Sequence, residues 1–302
     1  MIKLSIGIAA YNAERNIEKI LSSLLRQKKD GFIVNKILVH SDQSSDQTNK
    51  IVSNYKDQGV ELLESEKRVG FIGSFINLIK RLDGDVTIIF NDDIVINDNF
   101  LLSKLVEPFV GDPNIGLVCG RTESLPPINF LDKAQQSTYA AYDKFRYDIN
   151  EGHTVYTVDG KILALSRNFV NNLKFPENLK LTGCVDAFMY FSCIQLKLKY
   201  FHVRNAVIYF RNPTTTREYI KWTSRNNSNQ IMLKKIFGDN LVSLEYRLPR
   251  FKLLRLKFIE FLKNPIGCLY IFILSFYISY ITKKNATNFD VTWDTLTSSK
   301  KI

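Results

Sequence analysis

Two adjacent carboxylates stand at the end of an apolar run. The stretch GDVTIIFNDDIVI, Gly84–Ile96, leads from a β-branched and aromatic centre into Asn91, Asp92 and Asp93. Such a run reads as a buried strand. Its polar end admits two chemistries: a turn that hydrogen-bonds its own backbone, or a rigid post presenting oxygens to a divalent cation. A further acid, Asp42, closes the short run ILVHSD. Another, Asp186, lies within the mostly apolar LTGCVDAFMYF. An acid in apolar surroundings is costly unless it has a partner or a task.

The elements that must carry these residues alternate in type over the first hundred positions. KLSIGIAAY reads as a strand ending at Asn12. ERNIEKILSSLLRQ follows with Ile17, Ile20, Leu21, Leu24 and Leu25 at helical spacing. NKILVH, GVELLES and DVTIIF read as further strands, separated by the helical stretches TNKIVSNYKDQ and GSFINLIKRL. Short loops between alternating strands and helices predict an α/β fold with a parallel sheet covered on both faces. Ligands of such sheets bind at the carboxyl ends of the strands. Asn12, Asp42, Asp92 and Asp93 all fall at those ends. From about Gly111 the pattern loosens: GLVCGRTE, TVYTVDGKILALS and KYFHVRNAVIYFRN read as strands, DKAQQSTYAAYDKFRYDI and CVDAFMYFSCIQLK as helices.

Composition narrows the classes. The 302 residues hold 45% hydrophobic and 24% charged residues, a balance that belongs to a globular chain with a sizeable core. The formal charge of +11 favours an anionic partner. Cys119, Cys184, Cys193 and Cys268 form no CxxC pair and the three histidines are scattered, so neither a zinc site nor a disulfide framework is expected. The apolar run at the N-terminus stops at Tyr11 and Asn12, too soon for a signal peptide, which predicts a cytoplasmic catalytic region.

Four stretches, SIGIAAYNAERNIEKILSSLLRQ, ILVHSDQSSDQT, GFIGSFINLIKRLDGD and FNDD, come in the order and spacing of the family 2 glycosyltransferases. The resemblance covers roughly Lys3 to Arg225. It implies the GT-A nucleotide-diphospho-sugar transferase fold, a Rossmann-like mixed sheet flanked by helices. It also implies a nucleotide-sugar donor and Mn²⁺ or Mg²⁺ as cofactor. Residues 1–110 would then form the nucleotide-sugar-binding half and 111–230 the acceptor-binding half.

Residue by residue, the resemblance assigns roles. Ala10, Tyr11, Asn12 and Glu14 line the nucleotide after the first strand. Asp42 accepts a hydrogen bond from a uracil or guanine base N–H, whereas Asp46 suits an Asx turn or helix cap. The family usually has a preceding acid and a following Gly; here these are Ser41 and Gln43. Arg68 and Asn77 lie along the donor, and Gly70 and Gly73 suggest a phosphate-cradling turn as readily as a well-packed helix start. The family's Asp-x-Asp motif becomes Asn91-Asp92-Asp93. Asp93 is then the metal ligand, Asn91 contacts ribose or a metal-bound water, and Asp92, although it faces the other way, is counted among the donor-binding residues. Asp186 is the general base. Arg225 reaches the diphosphate, but the Gln-x-x-Arg-Trp motif of processive synthases is missing, which argues against a polymer synthase.

The C-terminal region changes character. YRLPRFKLLRLKFIEFLK mixes basic and apolar residues, and residues 264–282 carry no charge. Their length approaches the ~30 Å of a bilayer core. Arg247, Arg250, Lys252, Arg255, Lys257 and Lys263 precede the stretch, which predicts attachment to the cytoplasmic face of a membrane, as a single span or lying in the plane. Residues 231–284 are therefore expected to be membrane-associated helices and 285–302 a polar tail. The expected partners are a nucleotide-sugar donor, a glycan or lipid-linked acceptor and an anionic membrane surface, with no nucleic acid. The expected activity is that of an inverting, metal-dependent hexosyltransferase. Its rivals are a polyprenyl-phosphate sugar synthase, whose phosphate acceptor needs no base, and a nucleotide-sugar-binding protein without turnover.

Overall fold

The computed structural model describes residues 1–176 and 185–284, together with Ser298 and Lys300; for residues 225–229 and 282–284 only the backbone is described. Strand β1, Ile2–Ala10, is buried from Leu4 onward, as a central parallel strand must be. It lies between β2, Phe32–Ser41, and β4, Val86–Asn91, and is parallel to both. Strand β3, Val60–Glu64, extends this parallel half beyond β2. Helix α1, Ile17–Leu25, buries Ile17, Ile20, Leu21 and Leu24, the stripe that the sequence spacing predicts. Helices α2, Thr48–Ser53, and α3, Gly70–Ile79, complete the alternation.

Beyond β4 the sheet becomes mixed. Strand β5, Ile94–Val95, is followed by helix α4, Leu101–Gly111, and strand β6, Ile115–Ser124. Helix α5 spans Phe130–Arg146, strand β7 Ile162–Ser166, helix α6 Arg167–Asn172, helix α7 Val185–Gln195 and strand β8 Lys199–Phe210. The order across the sheet is β3-β2-β1-β4-β7-β6-β8-β5. Strand β7 runs antiparallel to both β4 and β6, so one continuous sheet joins the two expected halves. One face buries Ile17, Val52 and Leu105 against the strands; the other buries Phe75, Phe169 and Phe188.

The pattern and the structure differ in two places. Residues 154–166 read as one strand, yet only Ile162–Ser166 pairs. Thr154 Oγ1 accepts the Tyr156 N–H at 3.2 Å and Asp159 Oδ1 accepts the Lys161 N–H at 3.0 Å, so local turns replace the start of the strand. The sequence pattern assigns no helix to Leu101–Gly111, where α4 forms; Pro108 lies inside it and weakens its helical signature.

The C-terminal helices require a correction. Helix α8, Thr216–Phe237, runs unbroken through the expected boundary at residue 230, and α9, Asp239–Glu245, follows it. Helices α10, Arg250–Lys263, and α11, Pro265–Lys284, pack on α5. No helix among the described residues is long and apolar enough to cross a membrane. Tyr270, Ser275, Tyr277, Ser279 and Tyr280 dilute the apolar character of α11. Its Ile271 and Ile278 are buried with Leu131, Ala134 and Tyr219 in a protein core. The expected attachment of residues 264–282 to the cytoplasmic face of a membrane is overturned on these grounds. The polar tail lies outside the described residues apart from Ser298 and Lys300.

Candidate active site

The carboxyl ends of β1, β2 and β4 are in register. Ala9 sits opposite both His40 and Asn91, and Ala10 opposite Ser41. The Asp42 N–H donates to the Ala10 carbonyl at 2.8 Å, which locks the two loops at the sheet edge. Tyr11, Asp42, Asp92 and Asp93 therefore converge there.

Asp42 is buried and heavily engaged. Its Oδ1 accepts the Val69 N–H at 2.7 Å, and its Oδ2 accepts the Gly70 N–H at 2.9 Å and Arg68 Nε–H at 3.0 Å. The carboxylate thus fastens the start of α3. Gly70 has φ +72°, a left-handed conformation that glycine adopts without strain. A Cβ on Gly73 would lie 2.6 Å from Val69 Cβ, so its bare backbone serves close packing. The alternative of a phosphate cradle is not formed here, because the Gly70 N–H points at Asp42. The Arg68 guanidinium also lies 3.4 Å from the Tyr11 ring centroid, making a flat cation–π slab at the site's edge.

Asn12 and Glu14 tie the loop after β1 to the loop after β2. Asn12, with φ +46°, accepts the Ser45 N–H on Oδ1 at 2.8 Å, and its own N–H donates to Ser44 Oγ at 3.1 Å. Glu14 Oε2 accepts the Gln47 N–H at 3.1 Å. Asp46 accepts the Thr48 N–H at 3.0 Å, the Asx turn expected of it. Asn77 Nδ2 lies 3.0 Å from His40 Nε2. The ring of His40 is buried, which pushes its pKa below the usual histidine range against the opposing pull of Asp42.

The neighbouring acids Asp92 and Asp93 have different surroundings. Asp92 Oδ2 accepts the Tyr11 N–H at 2.8 Å and pairs with Lys300 Nζ at 2.7 Å. Asp93 Oδ1 and Asn91 Oδ1 are enclosed and have no hydrogen-bond partner among the described residues. Burial raises the Asp93 carboxyl above the ordinary carboxylate range, with Lys161 pulling it back down. Two enclosed, unsatisfied acceptor oxygens are the environment a cation or a ligand hydroxyl completes. Among the described residues no group of three or more His, Cys, Asp or Glu forms a complete metal cage. Protein oxygens at this strand end fit an ion whose remaining ligands come from a bound anion and water.

The turn at Asp159 and Lys161, within the stretch whose pattern predicts a strand, borders this place. Asp159 Oδ2 accepts Thr122 Oγ1–H at 2.9 Å, and its Oδ1 lies 3.6 Å from Lys161 Nζ. Burial alone would raise the Asp159 carboxyl, but Lys161, the Lys161 N–H and Thr122 hold it below its usual value. The Asp159-Gly160 dipeptide is the turn signal that could have revealed it. Asp186, half-buried in the first turn of α7, accepts the Ala187 N–H at 2.8 Å. Its Cβ lies 3.8 Å from where a Cβ on Gly160 would stand, so α7 brings this acid against the same turn.

The Arg225 side chain lies outside the described residues. Arg211 pairs with the fully buried Asp132 at 3.2 Å, a structural bond. Trp222 packs edge-on against Tyr139 of α5, with centroids 5.9 Å apart.

Comparison with known proteins agrees with this fold. The sequence matches Glycosyl transferase family 2 over residues 5–174, more than half of the chain. Two uncharacterized glycosyltransferases of Mycoplasma genitalium are 34% and 33% identical over 111 and 99 residues. These matches cover 35% and 31% of this chain and 36% and 33% of theirs, so the matched part spans about a third of each curated relative. A mannosyltransferase of Pyrobaculum calidifontis, solved with GDP-Man and Mn²⁺, is similar in structure with a TM-score of 0.56 at 18% identity, over 88% of this chain and 72% of that one. Glucosyl-3-phosphoglycerate synthase of Mycobacterium tuberculosis, solved with Mn²⁺, UDP and glucosyl-3-phosphoglycerate, gives 0.53 at 16% identity, over 78% and 80% of the two chains. TarS of S. aureus, solved with UDP, gives 0.51 at 18%, over 76% and 65%. The chain belongs to glycosyltransferase family 2 and has the GT-A fold.

Proposed function

We propose that the protein transfers a sugar from a nucleoside-diphosphate sugar to an acceptor hydroxyl, with inversion at the anomeric carbon. The observation that carries this reading is the enclosed pair of unsatisfied oxygens, Asn91 Oδ1 and Asp93 Oδ1, at the strand edge beside Tyr11 and Asp42. Structural neighbours solved with GDP-Man or UDP together with Mn²⁺ support it. The nucleotide lies along the Tyr11–Arg68 slab. Asp42 Oδ1 takes one N–H from Val69 and retains a lone pair for a base N–H. Asp93, assisted by Asn91, would hold Mn²⁺ or Mg²⁺; when bound, such an ion neutralises the diphosphate and stabilises the leaving group.

Asp186 takes the proton of the acceptor hydroxyl as its oxygen bonds to the anomeric carbon. The bond from that carbon to the diphosphate oxygen breaks at the opposite face, and the nucleoside diphosphate leaves. With Asp186 acting only as base and no protein group bonding to the anomeric carbon, transfer is a single displacement, which inverts the centre. With the membrane attachment overturned, the acceptor is assigned only as a glycan hydroxyl.

The test is a donor panel of UDP-, GDP- and dTDP-sugars with Mn²⁺, read by nucleoside diphosphate release and by NMR of the product anomer. Metal-dependent release with inverted configuration is expected. Absence of release from every donor, or a retained configuration, contradicts the reading.

A further inference from the structure

Lys300 lies 289 residues from Tyr11 in sequence, yet it stands at the carboxyl ends of β1 and β4. Its ammonium donates to the Tyr11 carbonyl and to Asp92 Oδ2, the latter at 2.7 Å, and lies 5.8 Å from the Tyr11 ring centroid. The Lys300 and Asp92 side chains are only 13% and 11% exposed. We propose that Lys300 is a donor-binding residue, whose ammonium contacts the diphosphate of the nucleotide sugar. This inference rests on the donor reading above.

Three observations carry it. First, an ammonium group has three N–H directions. Among the described residues Tyr11 and Asp92 take two, which leaves one for a phosphate oxygen. Second, the position is held from a distance. Ser298, itself buried, donates through its N–H to Glu218 Oε1 of α8 at 3.2 Å and through its hydroxyl to Glu218 Oε2, and it accepts the Thr214 N–H at 3.0 Å. The cation is thus set at this edge by α8. Third, the charge is needed there. Asp92, Asp93 and Asp159 crowd the strand ends, and a diphosphate adds further negative charge. Lys161 and Lys300 both draw the Asp93 carboxyl down against its burial. A mostly buried ion pair is a poor source of stability. A cation kept at a nucleotide loop is better explained by an anionic ligand.

The experiment uses the full chain with Mn²⁺ and compares wild type, Lys300→Met and Lys300→Arg. The affinities of UDP, GDP and dTDP are measured by calorimetry, and those of the corresponding nucleosides by competition. Loss of the ammonium should weaken the best-bound diphosphate by about tenfold. The nucleoside affinity should be unchanged, and Lys300→Arg should restore most of the loss. An unchanged or tighter diphosphate, or an equal loss for nucleoside and diphosphate, overturns the inference while leaving the donor reading intact. A wild-type chain that binds none of the three diphosphates contradicts the donor reading, and this inference falls with it.

Discussion

The carboxylate of Asp42, at the tip of β2, accepts the backbone N–H of Gly70, at the start of α3, at a distance of 2.9 Å. Two further donors, the Val69 N–H and Arg68 Nε, converge on the same group. One side chain therefore organises the β2 loop, the first turn of α3 and the arginine that covers Tyr11. Asp42→Ala would leave these donors without their partner in a buried setting. A loss of about 2–4 kcal/mol is expected, measured by urea denaturation. A variant as stable as wild type would show that the bonds are dispensable.

Asp186→Asn keeps the size of the side chain and removes its basicity. Transfer should fall by roughly 10²–10⁴ while donor binding stays unchanged. The comparison of single-turnover rates with calorimetric donor affinity separates the two effects. Near wild-type transfer would remove Asp186 from the mechanism and favour an acceptor that is already anionic, as a polyprenyl phosphate is.

Stability should depend on pH through His202. Burial, reinforced by Arg146, His153, Arg204 and Arg121, pushes this ring down to about 3 from 6.5. The unfolded chain binds the proton more readily than the folded one between these values. The contribution is present above about pH 6.5 and is lost progressively as pH falls toward 3. His202→Phe keeps an aromatic ring stacked on Tyr147, whose centroid lies 5.1 Å away, and removes the titration. Melting midpoints recorded from pH 7 to pH 5 should fall less steeply in the variant. Parallel curves for the two proteins would assign the acid sensitivity to other groups, such as His40 or His153.

How far the sequence leads depends on the residue. The alternation of strands and helices through Asn91 follows from hydrophobic periodicity, because each element buries a face of fixed repeat. The strand-end position of Asp42 and Asp93 follows from the same pattern. Their partners do not. Asp42 reads as a base-contacting acid, but its three donors belong to residues 68–70, and only the folded loop shows that it is also a structural clasp. Asn12 and Glu14 sit in the expected loop, and only the fold shows that their side chains also hydrogen-bond the neighbouring loop. Asn77 of α3 meets His40 of β2, a pairing that spacing alone does not reveal. Lys300 has no sequence signature at all, since a lysine in a polar tail is ordinarily a solvated one. The reading of residues 264–282 fails because length without charge is a weak guide. Tyrosines and serines lower the hydropathy, and tertiary contacts with α5 and α8 bury part of the helix.

The central claim is that Asp93 joins a divalent cation to a bound nucleoside diphosphate at the end of β4. Titration of Mn²⁺ followed by the electron paramagnetic resonance signal of the free ion tests it most directly. The titration is run with wild type and Asp93→Ala, with and without UDP or GDP, against nucleotide-only controls. The account predicts that wild type with nucleotide removes the free-ion signal well beyond the nucleotide control, and that Asp93→Ala, still folded by circular dichroism, matches that control. Equal removal of the signal by the two proteins, or none by wild type, would contradict it.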